Sequence, residues 1–210
     1  MAKRSQVSLD PAFSLAIPGV VAEVERSTSA EVVVVVHRPT TQLRPQAVVS
    51  GLAAALSALA MCLWAHFTVS EAGVLFIVTV AAVVGGAVGQ VLGDRLHSVE
   101  DRHARALRRA RAAFVRYGVH RTRARTGLVV LLDEAEGRVA LVADTAVEGA
   151  VPQGRIDSVA FGDGPDGRDL SGLQPVLDGL RALGVLLAQG LPADPHDNPE
   201  ELDNAPRVLP

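Results

Sequence analysis

Two long stretches without a charged side chain constrain this 210-residue chain most strongly. One stretch lies between Arg44 and Glu71 and the other between Glu71 and Asp94, and each holds more than 20 residues. A helix rises about 1.5 Å per residue and needs roughly 20 apolar residues to cross a hydrocarbon core of about 30 Å. The stretches therefore predict two transmembrane helices, at about residues 47–69 and 73–92, rather than the buried core helices of a soluble domain.

The predicted helices form an antiparallel hairpin, because the link around residues 70–73 is long enough only for a tight turn. Small residues recur every four positions on both helices, which permits close approach of the two backbones. They are Ser50, Ala54, Ala58 and Cys62 on the first helix and Gly85, Gly89 and Gly93 on the second. We interpret these ridges as the seam of the hairpin, with a homodimer contact as the alternative.

The distribution of arginines predicts the orientation of the hairpin. Arginines precede the first helix and follow the second closely, whereas the short turn carries only Glu71. The positive-inside rule therefore predicts two membrane passes with both termini in the cytoplasm. A signal peptide is not expected, since the first apolar stretch begins about 45 residues into the chain and is too long for one. The arginines are Arg38, Arg44, Arg95, Arg102, Arg105, Arg108, Arg109 and Arg111.

The segments on either side of the hairpin predict one α/β domain. Glu31 opens a run of five valines that favours a strand buried on both faces, preceded by a helix that includes Phe13. Two short apolar runs at residues 128–132 and 139–142, separated by a turn at 133–137, predict a β-hairpin beyond the membrane segment. A buried strand needs sheet partners, so we expect the membrane hairpin to be an insertion into a single domain.

The rest of the chain predicts two more helices and a tail. A basic helix is expected at about residues 98–117 and an apolar one at about 173–187, with a Gly- and Asp-rich loop at 161–170 between them. The resulting division is residues 1–45 for the first helix and strand, 46–93 for the membrane hairpin, 94–191 for the rest of the domain, and 192–210 for an acidic, proline-containing tail.

Composition and motifs exclude several classes of function. The single cysteine, Cys62, allows neither a disulfide within the chain nor a cysteine-based zinc site. Aromatic residues make up only 3% of the chain, so nucleic-acid bases have few side chains to stack on, and no nucleic-acid partner is expected. The sequence also lacks a P-loop, a nucleophile elbow and a His-x-x-x-His pair.

The ordered set of segments resembles the bacterial membrane-hairpin branch of the TPM-domain family. The segments are STSAEVVVVV at 27–36, the two apolar stretches, a basic helix, HRTRARTGLVVLL at 120–132, RVALVAD at 138–144 and DNPEEL at 197–202. The resemblance covers nearly the whole chain. It implies a small mixed-sheet α/β/α sandwich interrupted by a two-helix transmembrane hairpin in the bacterial inner membrane.

The resemblance also implies candidate site residues. Glu31 and Asp144 match acidic residues at strand ends in the family, where they would bind calcium or magnesium. Apart from the resemblance, the basic residues before the second strand, Arg121, Arg123 and Arg125, are candidates to contact phosphate or anionic lipid. The alternative for the two acids is a structural role, either as capping residues or in salt bridges to the arginines.

Two functions follow from these expectations. Relatives of the family have been described as weak acid phosphatases, calcium-binding domains, and assembly or repair factors for membrane complexes. We favour a cytoplasmic binding or assembly module whose partners are the lipid bilayer and other membrane proteins, because this function needs fewer special residues. The alternative is a weak metal-dependent phosphatase that uses calcium or magnesium.

Overall fold

The structure is a computed structural model and describes residues 11–38, 45–64, 70–96, 99–162, 167–194 and 202–209. The chain forms two compact units, one from residues 1–40 and 100–210 and the other from residues 41–99. The helices are α1 (Pro11–Glu25), α2 (Pro45–Trp64), α3 (Glu71–Leu96), α4 (Val99–Arg116), α5 (Thr145–Ala150), α6 (Gln153–Asp157) and α7 (Leu173–Gly190). The strands are β1 (Glu31–His37), β2 (Gly127–Asp133), β3 (Arg138–Ala143) and β4 (Arg207–Leu209).

The four strands form one mixed sheet in the order β3-β2-β1-β4. β1 is parallel to both of its neighbours, and β2 is antiparallel to β3. β1 and β2 pair along their whole length, from Glu31 opposite Gly127 to His37 opposite Asp133. The strand before the hairpin thus lies directly beside the strand that follows it, as the valine run predicted.

Helices cover both faces of the sheet because the β1 valines alternate between two cores. Val32, Val34 and Val36 pack in a core with residues of α1, α5, α6 and α7. Val33 and Val35 pack in the other core, which includes the three buried alanines of α4. Alanine lets the α4 backbone lie close to the sheet. The arrangement confirms the predicted small mixed-sheet α/β/α sandwich.

The second unit consists of α2 and α3, which are long enough and apolar enough to cross a membrane. Only 11% of the 18-residue apolar window of α2 and 6% of the 21-residue window of α3 are buried. A core helix of a soluble protein would bury most of such a surface, so these helices favour membrane association. Of the predicted first membrane helix, residues 65–69 lie outside the described part of the chain.

The helices of the hairpin contact each other through small residues. The Ser50 hydroxyl donates a hydrogen bond of 2.9 Å to the Gly85 carbonyl on the other helix. A Cβ atom added to Gly85 would come within 2.5 Å of the Ala54 Cβ, so the contact requires glycine there. These contacts confirm that Ser50, Ala54 and Gly85 lie on the hairpin seam. A homodimer contact remains a prediction.

The C-terminal segment differs from the expected extended tail. Residues 207–209 form β4, which adds a fourth strand to the sheet beside β1. Leu209 is buried in the same core as Val33 and Val35. The acidic residues and prolines of this segment favoured an extended tail in the sequence analysis, although its apolar side chains pack against the domain.

Candidate functional site

Glu31 and Asp144 lie at the same end of the sheet, where β1 and β2 begin. Glu31 pairs with Gly127, and the Asp144 N–H donates to the Gly127 carbonyl (2.8 Å). β2 therefore lies between the two acids. With neighbouring strands about 4.8 Å apart, the backbones of the two acids are about 10 Å apart.

Each of these acids has a structural contact. Glu31 Oε2 accepts a hydrogen bond from the Leu202 N–H at 3.3 Å. Asp144 caps α5, since its Oδ1 accepts from the Thr145 N–H at 2.7 Å. The other Asp144 oxygen, Oδ2, is buried without a hydrogen-bond partner and lies 3.8 Å from the Arg125 guanidinium. Asp144 thus has one carboxylate oxygen that its structural role as a cap does not use.

The three candidate arginines lie around the loop that precedes β2. Arg125 has a positive φ of 57°, and its guanidinium donates to the His120 carbonyl at 2.8 Å as well as lying near Asp144. Arg121 ends a short 3-10 turn, and both it and Arg123 are exposed. The structure therefore brings Arg125 to Asp144. In the described part of the chain, no group of three or more His, Cys, Asp or Glu side chains is placed to hold a metal ion.

The carboxyl ends of the parallel strands hold a second polar cluster, which the sequence analysis missed. Ligands of open α/β sheets commonly bind outside the carboxyl ends of the strands. Here the carboxyl ends of β1 and β2 lie side by side, with His37 opposite Asp133. His37 ends β1 at this point, whereas Glu31 begins the same strand at its amino end.

Five side chains form this cluster, which we call the carboxyl-end network: His37, Arg105, Arg109, Asp133 and Glu136. Asp133 is fully buried, and its two oxygens lie 3.0 Å from His37 Nδ1 and 2.7 Å from the Arg109 guanidinium. Arg105 binds both oxygens of Glu136, at 2.9 and 2.8 Å. Arg109 also contacts Glu136 at 3.2 Å and so joins the two carboxylates into one network.

Local sequence explains how the network forms. Arg105 and Arg109 are four residues apart on α4, so they project from one face of the helix. Asp133 ends β2, and its side chain accepts from the Glu136 N–H at 3.1 Å, which shapes the turn to β3. Gly137 completes that turn with a φ of 66°. The pair of arginines and the Asp-Glu turn were both visible in the sequence, but their proximity follows only from the packing of α4.

The charges of the network depend on one another. Burial raises the pKa of Asp133, but the hydrogen bond from His37 and the charge of Arg109 outweigh it, so the pKa lies below its ordinary value. Burial likewise raises the pKa of Glu136, and the hydrogen bond and charge of Arg105 lower it further than burial raises it. The hydrogen bond with Glu136 raises the pKa of Arg105. Asp133 is therefore held ionised by His37 and Arg109, and Glu136 is held ionised by Arg105 and Arg109.

A known structure has a similar fold. The NMR structure of the BA42 protein from the psychrophilic bacterium Bizionia argentinensis matches over 100% of both chains, with a TM-score of 0.56 and 14% sequence identity. At that identity the likeness shows the fold alone. No family model matches the chain. No curated protein matches it either.

Proposed function

We propose that the protein is an integral protein of the bacterial inner membrane whose α/β/α domain is a cytoplasmic binding or assembly module. The observation that carries the proposal is the position of the apolar hairpin. Two exposed apolar helices interrupt the chain between β1 and β2, which are paired neighbours in one sheet.

A two-pass insertion returns the chain to the side of the membrane from which it left. The sheet can form only when β1 and β2 are on the same side, and a hairpin of two spanning helices meets that condition. The arginine-rich segments flank the hairpin in sequence, so the positive-inside rule favours the cytoplasm for this domain. Any partner would then be a molecule found at the inner surface of that membrane.

The exposed surface of α4 supports binding to an anionic partner. Arg108 and Arg111 are exposed on this helix, in contrast to Arg105 and Arg109, which are paired within the carboxyl-end network. Val115, one helical turn beyond Arg111, is 65% exposed. An apolar side chain beside exposed arginines suits contact with an acidic protein surface.

Site-specific photo-crosslinking in native membranes tests the proposal. We expect a photoreactive residue at Val115 to capture a membrane protein reproducibly, and the adduct to disappear when Arg108 and Arg111 are both changed to glutamate. The matched control is Val185 on α7, which is 64% exposed and lies on the opposite face of the sheet. The absence of a reproducible adduct at Val115, or the same adducts at Val115 and Val185, would contradict the proposal.

A weak metal-dependent phosphatase is the second candidate, and it is favoured by Asp144 Oδ2, which has no hydrogen-bond partner and lies 3.8 Å from the Arg125 guanidinium. In that function Asp144 and Glu31 would hold calcium or magnesium, and Arg121, Arg123 or Arg125 would hold the phosphate. We expect metal-stimulated hydrolysis of a phosphate ester that Asp144→Ala abolishes and the surface change Asp178→Ala does not. A rate that neither the metal nor Asp144→Ala alters would eliminate this candidate.

A further inference from the structure

The C-terminal segment follows the outer edge of β1 from one end to the other. At the amino end of β1, the Leu202 N–H donates to Glu31 Oε2. At the carboxyl end, Leu209 pairs with His37 in the parallel β4 ladder. The described residues 202–209 therefore run alongside β1 in the same direction.

Two leucines anchor this segment to the domain. Leu209 is buried and Leu202 is half-buried, and both pack against the core that holds Val33 and Val35. They are seven residues apart, which matches the length of β1. The edge of β1 thus offers one apolar contact near each of its ends.

Tyr117, just after α4, adds specificity between the two leucine contacts. The Arg207 guanidinium lies 5.0 Å from the centre of the Tyr117 ring and donates to the Tyr117 carbonyl at 3.1 Å. The Tyr117 hydroxyl in turn donates to the Val208 carbonyl at 3.1 Å. A cation over an aromatic ring is a favourable contact that a neutral side chain would not provide.

The pairing of the segment with β1 is short. β4 has only three residues, and the Val208 side chain is 49% exposed. Pro206, the residue before β4, has no N–H to donate to the ladder. A strand of this length holds few ladder hydrogen bonds, so another extended chain can replace it at the same edge. Addition of a strand to a sheet edge is a common mode of peptide recognition.

We propose that the outer edge of β1 is a peptide-binding groove that the chain's own C-terminal segment occupies. A partner displaces this segment with an extended stretch that runs parallel to β1. The stretch carries two leucine-sized side chains seven residues apart, with a basic residue two positions before the second. The inference rests on the proposed binding function and names the class of partner it accepts.

Anisotropy of a fluorescent peptide with the sequence of residues 202–210 tests the groove on the detergent-solubilised protein. The peptide should bind a variant that ends at Glu201, and a Leu209→Asp peptide should not. A tethered segment has an effective concentration in the millimolar range, so a peptide with a Kd of about 0.1 mM for the open groove should bind the full chain about tenfold more weakly.

A second variant covers the case in which truncation unfolds the domain. Full-length protein with Leu209→Asp changes one side chain without shortening the chain, and it should bind the peptide almost as tightly as the truncated chain does. Hydrogen exchange of β1 and β2 verifies that each variant is folded. A folded variant that fails to bind the peptide, or binds the Leu209→Asp peptide equally well, overturns the proposal.

Two further outcomes separate the possible explanations. Light scattering that shows a dimer of the full chain, lost on truncation at Glu201, would make a second copy the occupant and overturn a groove for other proteins. Failure of peptide binding with the Val115 crosslink intact would overturn the groove and leave the proposed binding function standing. Absence of both the peptide binding and the Val115 crosslink would overturn both the groove and the proposed binding function.

Discussion

Replacing Asp133 with alanine is expected to destabilise the β1–β2 pair by about 2–3 kcal/mol, the order of cost of removing a buried, charged hydrogen-bond acceptor. Asp133 is fully buried and accepts from His37, Arg109 and the Glu136 N–H. Alanine would leave all three donors without this acceptor, and the turn to β3 would lose the side chain that shapes it. The effect should spread from the carboxyl ends of the strands through both cores.

Native-state hydrogen exchange of β1 and β2, followed by mass spectrometry on the full chain, measures this loss. The matched control is Asp178→Ala on α7, where the side chain is 61% exposed and its partner Arg181 is also at the surface. A surface pair of this kind contributes at most about 1 kcal/mol, so the control should exchange almost as slowly as the unaltered protein. Equal exchange in the two variants would show that the network does not stabilise the sheet.

Acid should weaken the same network. Asp133 and Glu136 have folded pKa values below their ordinary values of 3.8 and 4.5. The stabilisation that these two ionised carboxylates give the folded protein is therefore fully present above about pH 5. It is lost as the pH falls through their folded pKa values. The difference between the unaltered protein and Asp133→Ala should accordingly shrink in acid, and a difference that grows there would contradict the assigned charges.

The parts of the fold that depend on local pattern could be predicted from the sequence. The valine run before the hairpin demanded a partner strand, and the run at 128–132 supplied it in register. The two uncharged stretches likewise predicted α2 and α3, since an apolar stretch of that length is typical of a membrane-spanning helix. In both cases a continuous run of one residue class determined the element.

The carboxyl-end network was not predictable in the same way. Arg105 and Arg109 belong to a row of arginines, and nothing in that row distinguishes the two that face the β2–β3 turn from the exposed Arg108 and Arg111. The distinction arises when the α4 alanines pack on the sheet and fix the rotation of the helix. Leu202 and Leu209 were missed for a related reason, because two isolated leucines among acids and prolines show no periodicity.

The largest effect is expected from labelling cysteines placed on either side of the proposed membrane. Ser70 directly precedes α3, which begins at Glu71, and Glu23 and Ala182 lie on α1 before the hairpin and on α7 after it. All three side chains are exposed. The native cysteine, Cys62, is changed to alanine so that each single-cysteine variant has one reactive thiol. If the hairpin crosses the membrane twice within one domain, Glu23→Cys and Ala182→Cys must be labelled from the same side of the membrane. Ser70→Cys must be labelled from the other side.

A membrane-impermeant maleimide applied to right-side-out and inverted vesicles gives the most direct test of a membrane hairpin inserted in a cytoplasmic domain. We predict that Ser70→Cys reacts only in right-side-out vesicles and that Glu23→Cys and Ala182→Cys react only in inverted vesicles. Opposite labelling of Glu23→Cys and Ala182→Cys, or labelling of Ser70→Cys from the same side as these two, would contradict the account.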